Sequence, residues 1–198
     1  MVQLTVVLSI PLMQYLHDLD IGMLKAIYEN RISSYDPAFI AITDSAAAIA
    51  FGVPGIFFII SLLTKNPDLR RNAFKILIPV ALSAIAANIL KYSIDLPRPY
   101  EIYPFIGKLS GGGSPTFPSG HTADAFAFAI AAILVKPKWY IIFPCLIWAA
   151  LVGYSRMRLG VHFPSDVFAG ALIGTACAYT YYWIVKRKLL TKAPAIKQ

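Results

Sequence analysis

The chain has 198 residues, of which 58% are hydrophobic and only 14% charged, with a formal net charge of +8 and a mean hydropathy of +0.63. A soluble domain carries about 25% charged residues, so this composition excludes an ordinary soluble globule and points to a bilayer. The cations fall in short clusters between apolar runs rather than along one stripe, which argues against a nucleic-acid partner. The length corresponds to a single domain, residues 1–198.

In chain order, the opening stretch MVQLTVVLSIPLMQYLHD has no basic leader and no small-x-small cleavage site, which argues against a removed signal peptide. The run at 4–16 is short for a span and leads into the amphipathic stretch DIGMLKAIYENR at 20–31. It reads as either a marginal first span or an interfacial helix. Five segments then follow that can cross, or nearly cross, a core of about 30 Å as helices. They lie near 38–63, 74–94, 119–135, 139–156 and 165–185. The third and fourth are short for a clean crossing, so their ends should lie in a polar cavity. The expected architecture is all-α: a polytopic membrane bundle of about six transmembrane helices, with five as the alternative. Within it, Asp44 and Asn88 are expected to bond between helices. Cys145 and Cys177 sit in apolar runs and read as small core residues.

The loops set the expected orientation. Lys65, Arg70, Arg71 and Lys75 form one cluster, Lys136 and Lys138 a second, and Lys186, Arg187, Lys188 and Lys192 a third. With alternating spans all three share one face, which the positive-inside bias makes cytoplasmic. Lys91, Arg98, His121, Arg156, Arg158, His162 and Asp166 then gather at the opposite face. Positive charge there opposes the insertion bias, so something other than topology keeps it.

Three stretches converge at that face. In KYSIDLPRP (91–99), Lys91 ends a helix that Pro97 and Pro99 prevent from continuing. In PSGHTAD (118–124), Gly120 allows close backbone approach and a new helix offers its first free N–H groups to an anion. In SRMRLGVHFPSD (155–166), one helix closes near Ser155–Arg156 and another opens near His162–Pro164. His162 and Asp166, four apart, can share a face, with the carboxylate orienting the imidazole. A phosphoryl group needs guanidinium forks, a point charge and backbone donors, together with a nucleophile in line and an acid for the leaving oxygen. Arg98, Arg156, Lys91 and the amides at 119–121 suit the first set, and His121 and His162 can divide the second.

Lys91-x6-Arg98-Pro99, Pro118-Ser119-Gly120-His121 and Ser155-Arg156-x5-His162-x3-Asp166 together resemble the three-part signature of the type 2 phosphatidic acid phosphatase superfamily. That group includes membrane lipid phosphatases and soluble vanadium haloperoxidases. The resemblance implies that His162 attacks phosphorus and forms a phosphohistidine, with Asp166 orienting it. It implies that His121 protonates the leaving oxygen and then activates water. Lys91, Arg98, Arg156, Ser119 and Gly120 would hold the phosphate oxygens. No metal or other cofactor is implied, and vanadate is expected to bind as a phosphate mimic.

The expected activity is metal-independent hydrolysis of a lipid phosphomonoester or pyrophosphate at the extracytoplasmic face of a bacterial inner membrane. Undecaprenyl pyrophosphate stands first among substrates, with lipid A 1-phosphate, phosphatidylglycerophosphate and phosphatidate as alternatives. A lipid or phosphate transporter is the non-enzyme alternative. Asp124, one turn after His121, reads as helix-end electrostatics or as tuning of His121. Arg158 reads as a contact to head groups or substrate, or as a solvated interfacial residue. His17 reads as interfacial, and the GGG at 111–113 as a flexible lip of the site.

Overall fold

The computed structural model describes the backbone of residues 2–113 and 115–191 and the side chains of 14–113 and 115–187. These residues form an all-helical bundle with no strand among them. Seven helices follow in order: α1 (Val2–Glu29), α2 (Asp36–Leu63), α3 (Pro67–Ile94), the single turn α4 (Pro99–Ile102), α5 (Gly120–Val135), α6 (Trp139–Arg158) and α7 (Pro164–Thr191).

Four stretches among the described residues are long and apolar enough to cross a bilayer: Ser33–Leu63, Pro67–Ile102, Trp139–Arg158 and Pro164–Arg187. Helix α5 is as apolar but has only 16 residues, a rise of about 24 Å. It nevertheless forms the centre of the bundle, packed against α2, α3, α6 and α7. Its N-terminus therefore starts inside protein, where irregular backbone is tolerated.

The interior is built from small side chains. One core cluster joins Ala50, Ile76, Val80, Ala127, Phe128 and Ala178, and a second joins Ala46, Ala125, Ala129, Ala149 and Val152. In lipid no hydrophobic force pulls helices together, so alanine and glycine surfaces that let backbones approach supply the packing. Helices α5 and α7 approach closely. A Cβ on Gly170 would lie 2.5 Å from the Ser119 carbonyl oxygen, and one on Gly174 would lie 2.2 Å from that of Ala123. Cys145 and Cys177 are half-buried free thiols. Asn88 does not bond between helices: its amide donates to the Ala84 carbonyl one turn back in α3, at 2.8 Å.

Helix α1 is one continuous element, in which the run at 4–16 leads directly into the stretch at 20–31. Its second half lies across one end of the bundle. The His17 ring meets the Tyr103 hydroxyl at 3.4 Å, and Asp20 accepts from the Ser165 N–H at 2.8 Å and its hydroxyl at 2.6 Å. Leu24 packs with Ile106 and Phe163, and the Tyr28 hydroxyl accepts from the Gly107 N–H at 2.8 Å. From 17 to 28 the helix rises about 16 Å, yet every one of these contacts falls on the 103–107 loop or the entry to α7. This part of α1 therefore lies across the bundle end rather than along its length. Its junction with α2 is tied down by Arg158, which donates to Asp36 at 3.0 Å and to the Ile32 carbonyl.

The opposite end carries the basic clusters. Lys75, Val135, Tyr181 and Tyr182 line one small cavity there, and Arg70, Arg71 and Phe74 line its neighbour. Lys192 and the side chain of Lys188 lie outside the described residues.

Candidate active site

Under the second half of α1, five elements bring the three sequence stretches together. Helix α3 ends one turn beyond Lys91, where Asp95 takes a left-handed conformation with φ of 51°. Arg98 precedes α4, and its N–H donates to the Glu101 carboxylate at 2.9 Å, which fixes that corner. Helix α5 starts at Gly120, with Ser119 before it. Helix α6 runs on through Arg156 to Arg158, two residues past the expected end, and α7 begins at Pro164. Between them the chain reverses at Gly160, whose φ of +71° suits glycine and where a Cβ would strike Ile106 and the Gly107 carbonyl.

His162 lies in this reversal and is 1% exposed. Its Nδ1 is 3.3 Å from Asp166 Oδ2 and 3.2 Å from Thr116 Oγ1. The same carboxylate oxygen accepts the Thr116 hydroxyl and, at 2.8 Å, the Phe163 N–H. Burial holds His162 well below the usual histidine range, and the positive charges of Arg156, Arg98, Lys91 and His121 push it further down. The imidazole is therefore neutral near pH 7, with its lone pair available.

The charges of the three cations are felt by this ring, and each cation also holds backbone or hydroxyl oxygens. Arg156, 1% exposed, donates to Thr43 Oγ1 at 2.7 Å, Ser110 Oγ at 3.4 Å and the Gly111 carbonyl at 3.3 Å. Its Nε is buried without a partner among the described residues. Arg98 donates to the Val161 carbonyl at 3.1 Å. Lys91 donates to the Pro115 carbonyl at 2.6 Å, with the Thr116 carbonyl at 3.4 Å.

His121 sits in the first turn of α5, only partly buried. A Cβ on the neighbouring Gly120 would meet no heavy atom within 4 Å, so the free amides of this turn border open space. Ser119 is buried: its N–H donates to the Asp166 carbonyl at 3.0 Å and its hydroxyl lies 2.8 Å from that of Thr122.

Three expectations change. The glycines at 111–113 are not merely a flexible lip. A Cβ on Gly112 would fall 2.5 Å from Arg98 Nη1, the Gly112 carbonyl accepts from the Tyr100 hydroxyl at 3.0 Å, and Gly111 binds Arg156. Arg158 is buried at 5% exposure and tied to Asp36, with its guanidinium over the Phe39 ring, so it is not a solvated residue. Asp124 lies beyond the first turn of α5, and its buried Oδ1 has no hydrogen-bond partner among the described residues, which removes the helix-end account. Periodicity did not reveal Thr43, Ser110 or Thr116. Only Thr116 carried a signal, as a hydroxyl two residues before Pro118 in the turn that opens α5.

Comparisons with known proteins show what the chain as a whole is similar to. The lipid A 1-phosphatase of Rhizobium etli is 36% identical over 48% of this chain and 42% of its own length. The undecaprenyl-diphosphatase of Sulfolobus acidocaldarius is 32% identical over 54% of this chain and 52% of its own. The chain thus spans about half the length of these curated relatives. The crystal structure of Aquifex aeolicus LpxE superposes with a TM-score of 0.72 at 28% identity, covering 82% of this chain and 94% of that one. A family model described as the PAP2 superfamily matches residues 72–190, a range that holds all three sequence stretches. The chain belongs to the PAP2 superfamily.

Proposed function

We propose that this chain is a membrane-embedded lipid phosphatase that works through a phosphohistidine. The observation that carries this reading is the buried, neutral His162, backed by Asp166 and under the electrostatic influence of Arg156, Arg98, Lys91 and His121. The Nδ1 side of the ring is engaged, so Nε2 is the nitrogen left to attack phosphorus. In the first step a bond forms from Nε2 to phosphorus as the bond to the departing oxygen breaks, and His121 supplies the proton that oxygen takes. In the second step His121 accepts a proton from water, the hydroxide attacks phosphorus, and the nitrogen–phosphorus bond breaks to release phosphate. Arg98, Arg156, Lys91 and the first amides of α5 stabilise the charge spread over the oxygens.

Undecaprenyl pyrophosphate is the first substrate reading, supported by the undecaprenyl-diphosphatase relative. A lipid A phosphate is the second, supported by the lipid A 1-phosphatase relative. The site is assigned to the extracytoplasmic side because the basic clusters lie at the other end.

The test is phosphate release by purified protein from undecaprenyl pyrophosphate, phosphatidylglycerophosphate, phosphatidate and lipid A, in excess chelator and with His162→Ala alongside. Release in chelator that falls by orders of magnitude in the variant supports the reading. Undiminished release by folded His162→Ala, or an absolute need for a divalent ion, overturns it. Catalytic efficiency across the four lipids chooses the substrate.

A further inference from the structure

Thr116 is 1% exposed and lies in the loop between α4 and α5, outside the three sequence stretches. A hydroxyl has one proton and two lone pairs. Its proton goes to Asp166 Oδ2, because the carboxylate oxygen also takes the Phe163 N–H and serves as an acceptor. Toward His162 Nδ1, 3.2 Å away, Thr116 therefore has only a lone pair to offer. Nδ1 must then carry the ring's proton, shared between Thr116 Oγ1 and Asp166 Oδ2.

We infer that Thr116 is a positioning residue that fixes His162 in its Nδ1–H tautomer, leaving the Nε2 lone pair facing the reacting phosphorus. Asp166 alone would favour the same tautomer, but through one contact at 3.3 Å. Thr116 adds a second acceptor and holds the carboxylate oxygen in place. Lys91 reaches this arrangement through the backbone: its ammonium grips the Pro115 and Thr116 carbonyls, while the Thr116 N–H donates to the Leu96 carbonyl at 2.8 Å. The loop is thus pinned on both sides of the hydroxyl. Lys91 accordingly has a role in the resting site that does not require phosphate.

The inference rests on His162 as nucleophile, and the experiment separates the two ideas. The chain has three histidines, so 15N-histidine spectra of the protein in detergent resolve into few signals, with His162→Gln identifying one. Wild type should show that ring as the pure Nδ1–H tautomer. Thr116→Val, close in shape, should move its nitrogen shifts toward a tautomer mixture. Thr116→Ser, which restores the hydroxyl, should return them.

On the substrate that the wild type turns over fastest in the lipid panel, Thr116→Val should lower kcat about 10- to 100-fold, the range for losing a partner that orients a functional histidine. KM should hold within about 2-fold, and Thr116→Ser should stay within a few-fold of wild type. Unchanged shifts together with unchanged kcat in Thr116→Val overturn the inference. So does a Thr116→Ser as impaired as Thr116→Val, since the methyl would then carry the effect. If His162→Ala keeps its activity, the phosphatase mechanism fails, while the spectra still decide whether Thr116 sets the tautomer.

Discussion

His162 and Arg156 are the residues where burial changes chemistry most. An imidazole withheld from water and faced by Arg156, Arg98, Lys91 and His121 resists protonation. Since the proposed nucleophile must be neutral, turnover should persist as pH falls below the ordinary histidine value of 6.5. The acid limb of kcat/KM should therefore lie lower than for a solvated imidazole. Stability should move the other way. Below about pH 6.5 the unfolded chain takes up a proton that folded His162 refuses, so acid erodes stability. Melting temperatures between pH 7 and 5 should fall more steeply for the wild type than for His162→Gln. Arg156 links Thr43 of α2 to the 110–111 loop with one planar fork. Lysine has no such fork, so Arg156→Lys should cost about 100-fold in kcat/KM, on the scale of losing one preorganised charge donor. Loss within about 3-fold would remove the clamp from the mechanism.

At the scale of elements, the meeting of α5 and α7 sets the distance between His121 on one helix and His162–Asp166 at the head of the other. That distance depends on Gly170 and Gly174, whose missing Cβ atoms allow contact with α5 backbone rather than with flexible side chains. Gly174→Ala places a methyl 2.2 Å from the Ala123 carbonyl oxygen, and neither backbone can yield without moving its helix. The expected cost is about 1–3 kcal/mol, typical of an overpacked interior, read as a lower melting temperature together with reduced turnover. The control is alanine at Gly52 in α2, where a Cβ meets nothing within 4 Å; it should leave both nearly unchanged. Equal behaviour of the two variants would argue against a glycine-set spacing.

For the molecule as a whole, the second half of α1 forms a cover across the site end, held by Asp20 to the head of α7, while the Arg158–Asp36 pair fastens the start of α2, just beyond α1, to the end of α6. Arg158 lies under 10% exposed while Asp36 keeps 14% of its side-chain surface, so the pair is largely desolvated. Arg158→Met would leave Asp36 with Arg31 at 3.5 Å as its remaining ion-pair partner among the described residues. Removing one partner of a buried pair costs up to about 3–5 kcal/mol; with Arg31 still present, a loss of about 1–3 kcal/mol is expected. It should appear as a lower melting temperature and as faster protease cleavage within 29–36. Unchanged cleavage would mean that the junction is held by the apolar contacts alone.

Composition and periodicity alone determined that the chain is an all-α membrane bundle, and located the five later helices with their ends within seven residues, because apolar runs of this length span a bilayer as helices. The three sequence stretches likewise identified the cations and imidazoles that the fold brings together, since charge is costly enough in a membrane protein to stand out. Only the tertiary structure decided what those groups touch. Lys91 grips carbonyls of a loop 24 and 25 residues away, Arg156 finds Thr43 across 113, and Thr116 meets Asp166 across 50. A hydroxyl or a glycine is common and cheap in any sequence, so neither announces a partner until the chain has closed around it.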